Sequence, residues 1–423
     1  MNTIIHGDCL DKLKELEENS VDAIVTDPPY GLSFMGKKWD YDVPSEEIWK
    51  ECLRVLKPGG YLLSFAGTRT QHRMAVRIED AGFEIRDMIA WIYGSGFPKS
   101  LNIGKSIENK VLTGNASKNG FHKLDGERRE GRIGMYDTVE EHGFRKVNPD
   151  QLGAFDLQPT TNEAKEWNGW GTALKPALEP ITVARKPLSE KTVAENCLKW
   201  GVGGINIDGS RVGTTGARNN GNSKGTEGSN SIGVYGKAIK QDYGMGRFPS
   251  NLIHDGSDEV VSLFPITKSG AVKSFTNNGA NQPINLGGGM LKPTEGSEGS
   301  ASRFFYCAKA SKSERNKGCE ELKDKEKKTL GSFGDQSEFD CPDGANRVGN
   351  KGTSINKNNH PTVKPIALME YLVKLVSKEN AIVLDPFAGS GSTLLACKNL
   401  NRNYIGIERE ADYIEIINKR LEI

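Results

Sequence analysis

The sequence predicts a doubly wound α/β sheet assembled from both ends of the chain, with a long irregular insertion projecting from it. Three observations carry that reading. Strands and helices alternate over about the first hundred residues; the alternation returns near His360; and the stretch between dissolves into Gly, Asn, Ser and Lys. The composition fits a folded protein. Of 423 residues, 36% are hydrophobic, 26% charged and 8% aromatic, which excludes wholesale disorder and a fibrous repeat. With 56 Lys and Arg against 55 Asp and Glu, the net charge of +1 exerts no global pull toward nucleic acid, so any such contact must be local. Apolar runs fall short of the roughly 18 residues a membrane span needs, and the start lacks a basic region followed by an apolar stretch, so a soluble, unexported, cytoplasmic protein is expected. The seven cysteines are scattered, form no CxxC pair and do not cluster with the six histidines, which argues against a disulfide framework and against a metal site.

The elements follow in order. TIIHGD reads as a short strand, residues 10–18 as a helix and VDAIVTD as a buried strand, which is βαβ grammar. A helix over residues 46–56 is expected to stop at Pro58 and Gly59, before the strand GYLLSFAG. A helix over residues 70–81 leads into FEIRDMIAWIYG, read as an antiparallel hairpin at a sheet edge. Three ordered islands interrupt the Gly-rich middle: LKPALEPITVARKPL as a strand, SEKTVAENCLKWG as a helix with a Ser-x-x-Thr cap, and SRFFYCAKAS as a strand. In HPTVKPIALMEYLVKLVS, Leu368, Tyr371, Leu372, Leu375 and Val376 make one apolar helical face. The strand AIVLDPF, a Gly-rich turn, a helix through Leu400, the strand NYIGIE and a closing helix to Leu421 complete the chain. The resulting division is 1–98, 99–358 and 359–423.

Two motifs carry chemistry. Asp27-Pro28-Pro29-Tyr30 ends the strand AIVT; its prolines fix two φ angles and remove two N–H donors, making a rigid turn with exposed carbonyls. There the Asp27 carboxylate and the Pro28 carbonyl can accept hydrogen bonds from one exocyclic NH2 group, and Tyr30 offers a face on which a planar base can stack. The bland reading is a Pro-rich turn with a surface tyrosine. The second motif, Asp385-Pro386-Phe387-Ala388-Gly389-Ser390-Gly391-Ser392-Thr393, joins a strand to a helix through glycines that permit close backbone approach to a ligand. It lacks the lysine of a P-loop. At the end of the next strand, Glu408 can hold the hydroxyls of a ribose, so a nucleoside-containing cofactor is expected.

These residues resemble the DNA N-4/N-6 amino-methyltransferase family, in its prophage-associated form. DPPY resembles the catalytic motif, VLDPFAGSGST the S-adenosylmethionine motif and HPTVKP the segment preceding it; GLSFMGKKWD, ALKPALEPITVARKP and RFFYCAKAS also look like stretches of this group. The resemblance covers both ends fully and the middle in patches. It implies a Rossmann-like, mostly parallel, seven-stranded sheet in the circularly permuted β-type order, with residues 99–358 as the target-recognition region and TIIHGD lying beside NYIGIE. It implies S-adenosyl-L-methionine as cofactor, with Asp385 near the methionine amino group, Thr362 and Lys364 at its carboxylate, Glu408 on the ribose, Asp8 at the adenine end, and the main chain of Phe387, Gly389 and Gly391 packed close. Asp8 reads equally as a helix cap, Lys364 as a solvated lysine, and Glu408 as a partner of Arg409 or Lys419.

The implied reaction is methyl transfer to N6 of an adenine flipped out of double-stranded DNA, with Asp27, Pro28, Pro29 and Tyr30 at the transfer site and no nucleophilic cysteine. Asp rather than Ser opening the motif favours adenine; cytosine-N4 is the runner-up. An RNA or protein-amide substrate, and a DNA-binding protein with a dead site, are the other classes. In the middle of the chain Lys and Arg exceed Asp and Glu only slightly, so duplex contact rests on backbone N–H groups and on Asn, Ser and Thr side chains. Arg218, Asn219 and Asn220 are candidate base readers against the plainer reading of a solvated loop. A homodimer and a cognate restriction enzyme stay open.

Overall fold

The computed structural model describes residues 2–32, 40–96, 100–114, 159–213, 246–269, 297–308, 316–319, 325–326, 355–356, 358, 360 and 362–422. The chain divides into two units. One comprises Met1–Gly94, Leu178–Lys328 and Phe339–Ile423, the other Ser95–Ala177 with Thr329–Glu338. Arg218, Asn219 and Asn220 lie outside the described residues.

In chain order the elements are β1 (Asn2–His6), α1 (Cys9–Lys14), β2 (Val21–Thr26), α2 (Glu46–Val55), β3 (Leu56–Phe65), α3 (Gln71–Asp80), β4 (Glu84–Ile92), α4 (Ile103–Thr113), α5 (Asn162–Glu166), β5 (Leu178–Arg185), α6 (Val193–Trp200), β6 (Leu252–His254), α7 (Asp258–Val261), β7 (Ile266–Ser269), β8 (Ser297–Ser300), β9 (Tyr306–Cys307), β10 (Lys325–Glu326), β11 (Ile355–Asn356), α8 (Ile366–Val376), β12 (Ile382–Asp385), α9 (Ser392–Asn399), β13 (Asn403–Glu408) and α10 (Ala411–Leu421).

Among the described residues nine strands form the main sheet of the larger unit, in the order β1-β13-β12-β2-β3-β5-β4-β6-β9. β5 alone runs against its neighbours, and every other pairing is parallel. The two ends of the chain join where β1 pairs with β13, Asn2 opposite Tyr404 through His6 opposite Glu408, as the sequence suggested. Both faces are covered, which is what a parallel sheet requires. Along β3, Tyr61, Leu63 and Phe65 pack on the side of α8, α9 and α10, with Leu372, Leu394 and Ile417. Leu62 faces the other way, toward Leu13 of α1, Trp49 and Cys52 of α2, and Met74 and Ile78 of α3.

The structure corrects several local expectations. The sheet has nine strands, not seven. FEIRDMIAWIYG is not an edge hairpin but one continuous strand, β4, because β5 and β6 occupy its two sides. Pro58 and Gly59 do not end a helix ahead of the strand. Leu56 turns extended at ψ 136°, α2 passes directly into β3, and Gly59 takes the left-handed φ of +80° within it. The cap of α6 is Thr192 with Glu195, each accepting from the other's backbone N–H, rather than Ser189 with Thr192. The described part of SRFFYCAKAS, residues 302–308, supplies the two-residue β9 after a 3-10 turn over Ala301–Phe304, and residues 309–311 lie outside the described residues. β5, from within 99–358, lies deep in the sheet. Its run from Pro180 to Arg185 is buried throughout, so it must be covered on both faces.

In the second unit, Asn102 caps α4 and Thr161 caps α5. The buried Glu108 carboxylate accepts from the backbone and hydroxyls of Thr160 and Thr161 at 2.5–3.1 Å. Among the described residues no helix is long and apolar enough to cross a membrane, and no group of three or more His, Cys, Asp or Glu is placed to hold a metal.

Candidate active site

β12 and β2 are adjacent parallel strands, so their carboxyl ends deliver Asp385 and Asp27 to the same edge of the sheet. Thr26, the last residue of β2, is fully buried and donates its hydroxyl to Asp385 Oδ1 at 2.6 Å, tying the two motifs together.

Beyond Thr26 the chain leaves the sheet through Pro28 and Pro29. Asp40 accepts from the backbone N–H groups of Tyr30 and Gly31 on one carboxylate oxygen, at 2.8 and 2.9 Å, and from Leu32 on the other, at 3.2 Å. A buried carboxylate thus supplies the acceptors that a turn after two prolines cannot find in itself. Thr70 donates to the Tyr30 carbonyl at 2.6 Å.

Four polar groups meet beside this turn. Lys364 Nζ lies 2.7 Å from Asp27 Oδ2, 3.1 Å from Glu179 Oε2 and 3.1 Å from Tyr30 Oη. The Tyr30 phenol is 2.7 Å from Asp27 Oδ1 and 3.0 Å from Glu179 Oε2; having one proton, it donates to one acid at a time. Phe65 and Tyr30 present their rings to the ammonium at 4.8 and 5.5 Å. Burial alone would lower the Lys364 pKa, but Asp27 and Glu179 outweigh it and hold the ammonium above its usual range. Burial, reinforced by the same two acids, holds the Tyr30 phenol well above its ordinary value, and burial with Glu179 does the same for Tyr93.

The second motif is held by its own backbone. Asp385 accepts from the Phe387 N–H at 3.1 Å, and burial raises its carboxyl to about 6 against the hydrogen bonds from Thr26, Thr393 and Phe387. Gly389 and Gly391 have φ of +54° and +76°, which a side chain rarely adopts. A Cβ on Gly389 would stand 2.8 Å from His360 Nε2. Glu408, whose carboxyl is raised by burial, accepts from the Gly389 N–H on one oxygen and from the Glu410 N–H on the other, both at 2.8 Å. The Arg409 side chain pairs with Glu410, and Lys419 with Glu422. Arg420, buried at the far side, donates to the Ser390 carbonyl at 2.6 Å.

The expected site residues therefore fall into two groups. Asp27, Pro28, Pro29 and Tyr30 form one, and Lys364 joins it. Asp385, Phe387, Gly389, Gly391 and Glu408 form the other. Thr362 is exposed, its carbonyl in contact with the His360 ring. Asp8 caps α1 through the Leu10 N–H at 2.9 Å, the plainer of its two readings. Phe387 meets Trp49 in a tilted contact, ring centroids 6.4 Å apart and planes at 60°. Sequence reasoning missed Thr26, Asp40, Tyr93 and Glu179. The one available signal was an acid next to proline at the mouth of an otherwise apolar strand, Glu179-Pro180.

This chain matches the family model described as DNA methylase over residues 21–188 and 275–419, well over half its length. The Type II methyltransferase M.HindIII of Haemophilus influenzae is 54% identical over 71 residues, 17% of this chain and 23% of that protein. M.HpaI of Haemophilus parainfluenzae is 49% identical over 67 residues, 16% and 21% of the two chains. The chain thus spans less than a quarter of the length of these curated relatives. Among solved structures, the PvuII DNA methyltransferase, described as cytosine-N4-specific, aligns over 99% of this chain and 87% of its own at 13% identity and a TM-score of 0.42.

Proposed function

This chain belongs to the DNA methylase family, and from that premise we propose that it methylates the exocyclic N6 of adenine in double-stranded DNA with S-adenosylmethionine as donor. The observation that carries the reading is the hydrogen bond joining the two motifs. Through Thr26 and Asp385, at 2.6 Å, an acceptor site for an amine is locked beside a glycine turn suited to a nucleoside.

The residues present fit such a cofactor. Asp385 and Glu408 offer carboxylates for an ammonium and for ribose hydroxyls, and the left-handed turn through Gly389 and Gly391 presents backbone without side chains beside them. When bound, the cofactor supplies an electrophilic methyl group on a sulfonium. Asp385 would lie toward its amino group, Glu408 toward its ribose and Asp8 toward its adenine. Thr362 and Lys364 would lie toward its carboxylate, with the main chain of Phe387, Gly389 and Gly391 alongside.

The chain's own work is orientation. The lone pair of an exocyclic amine is delocalised into its ring; a carboxylate at Asp27 that holds one of its hydrogens turns the nitrogen toward a tetrahedral shape and aims the lone pair. A base inside a duplex cannot reach this corner, so it must be flipped out, with Tyr30 and Pro29 bounding its plane. Residues 99–358, apart from strands such as β5 that belong to the sheet, are the proposed DNA-reading region.

Single-molecule sequencing and nucleoside mass spectrometry of DNA from cells expressing this chain or its Asp27→Ala variant test the reading. N6-methyladenine at a defined motif in the first culture alone is the expected result. N4-methylcytosine instead would transfer the reading to the other exocyclic amine, and unmodified DNA in both cultures would overturn it.

A further inference from the structure

The corner beside Tyr30 holds more acceptors than one hydrogen-holding carboxylate requires. Two acids face a single ammonium there: Asp27 and Glu179, their side chains 19% and 20% exposed, around a Lys364 side chain that is 8% exposed. Two negative charges thus face one positive charge in a site largely removed from water, and the Tyr30 phenol has one proton to share between them, so a further group with hydrogens to give finds an acceptor there. Burial and the neighbouring Glu179 carboxylate together raise the Tyr93 phenol beside this corner. Glu179 comes from β5, a strand antiparallel to β3 and β4, so its place at the mouth of the site is set by the sheet rather than by a mobile loop.

The position of the ammonium is informative. Lys364 Nζ is a nitrogen bearing several hydrogens, and it meets two carboxylates, at 2.7 Å from Asp27 and 3.1 Å from Glu179, with the Tyr30 hydroxyl at 3.1 Å and the centroid of the Phe65 ring at 4.8 Å. An exocyclic amine on a planar base makes the same demands. We infer that Lys364 Nζ marks the seat of the substrate amine, that Glu179, in place of the Pro28 carbonyl suggested by the sequence, is the second acceptor of that amine, and that Glu179 takes the proton the amine releases. The inference rests on the reading that this chain methylates such an amine.

The chemistry balances as follows. The nitrogen lone pair forms a bond to the methyl carbon while the sulfur–methyl bond breaks, and that bond's electron pair stays on sulfur as a neutral thioether. The nitrogen, now positive, gives one proton to Glu179 and becomes a neutral secondary amine; Asp27 keeps its hold on the remaining hydrogen. The carboxylic acid at Glu179 then loses its proton to water. Lys364 leaves the seat as the base arrives, free to turn toward the carboxylate end of the cofactor.

The test uses the full chain, tritiated S-adenosylmethionine and unmodified plasmid DNA under single-turnover conditions. Glu179→Gln keeps size and polarity but cannot take a proton, so methyl transfer is expected to fall about 100-fold, with cofactor affinity by calorimetry within about threefold of the parent. Glu179→Asp should recover about tenfold over Glu179→Gln, and added formate should partly restore Glu179→Ala, which only a folded protein lacking a proton acceptor can show. A Glu179→Gln protein as fast as the parent overturns the inference. So does a slow one that neither the aspartate variant nor formate rescues, since Glu179 would then only prop Lys364. Should the parent protein transfer no methyl group to DNA while binding the cofactor, the parent reading fails first and takes this inference with it.

Discussion

Asp27 and Asp385 end neighbouring parallel strands and are bridged by one threonine, yet the two turns that follow them are stabilised in opposite ways. The glycine turn after Asp385 is nearly self-contained: its aspartate accepts from Phe387, two residues on, and its Gly389 N–H is held by Glu408 on the next strand. The turn after Asp27 has prolines where donors would be, and its partners come from far along the chain. Asp40 stands ten residues beyond Tyr30, Glu179 is 149 residues away, and Lys364 is 337 from Asp27. The first turn is shaped by backbone geometry and tolerates little bulk; the second is shaped by side-chain charge and tolerates little change of electrostatics. Substitutions at the two turns should therefore fail in different steps.

The largest expected contrast crosses the two. Asp27→Ala should lower methyl transfer about 1000-fold while cofactor affinity stays within a few fold. Gly389→Val should weaken the cofactor about 100-fold, because a β-branched residue at φ +54° is strained and its Cβ meets His360. Calorimetry with S-adenosylmethionine and a tritium-transfer assay on the same preparations measure both; loss of cofactor binding in Asp27→Ala would merge two steps that the geometry separates.

A smaller effect should follow from Asp40→Asn, which leaves one oxygen to serve three backbone donors. Loss of about 2 kcal/mol in chemical denaturation, together with a roughly tenfold slower transfer and unchanged cofactor affinity, would mark Asp40 as a positioning residue for Tyr30. Equal slowing with no loss of stability would assign it to the chemistry instead.

The smallest effect concerns pH. Burial raises the Asp385 carboxyl from its ordinary 3.8 to about 6, so the folded state binds its proton more readily than the unfolded chain. This group therefore detracts from stability above pH 6, and the deficit shrinks as the pH falls toward 4. Cofactor affinity should run the other way, weakening several-fold as protonation at pH 6 and below removes the charge offered to the methionine ammonium. Calorimetric titrations from pH 5 to 8 and urea unfolding over the same range read the two trends; a flat affinity profile would remove Asp385 from the cofactor's amino group.

Much of the larger unit was readable in the sequence. The βαβ grammar of both ends, the apolar face of α8 and the union of β1 with β13 depend on spacings of a few residues or on strands that have no other place to pair. The errors arose where a strand's neighbours decided its state. FEIRDMIAWI reads as a hairpin only until β5 and β6 fill its two sides, and Pro58 reads as a helix stop only until Leu56 has already turned extended.

For the site, the sequence by itself determined Asp27, Pro28, Pro29 and Tyr30 as a rigid strand-end turn and Asp385 through Gly391 as a close-approach turn. Both are local: proline restricts its own φ, and glycine permits a positive one wherever it stands. Only the tertiary structure decided that Lys364 meets both Asp27 and Glu179, and that Asp40 holds the turn behind them. A buried ion pair closes through space between strands and loops hundreds of residues apart, and so leaves no period or spacing in the chain to read.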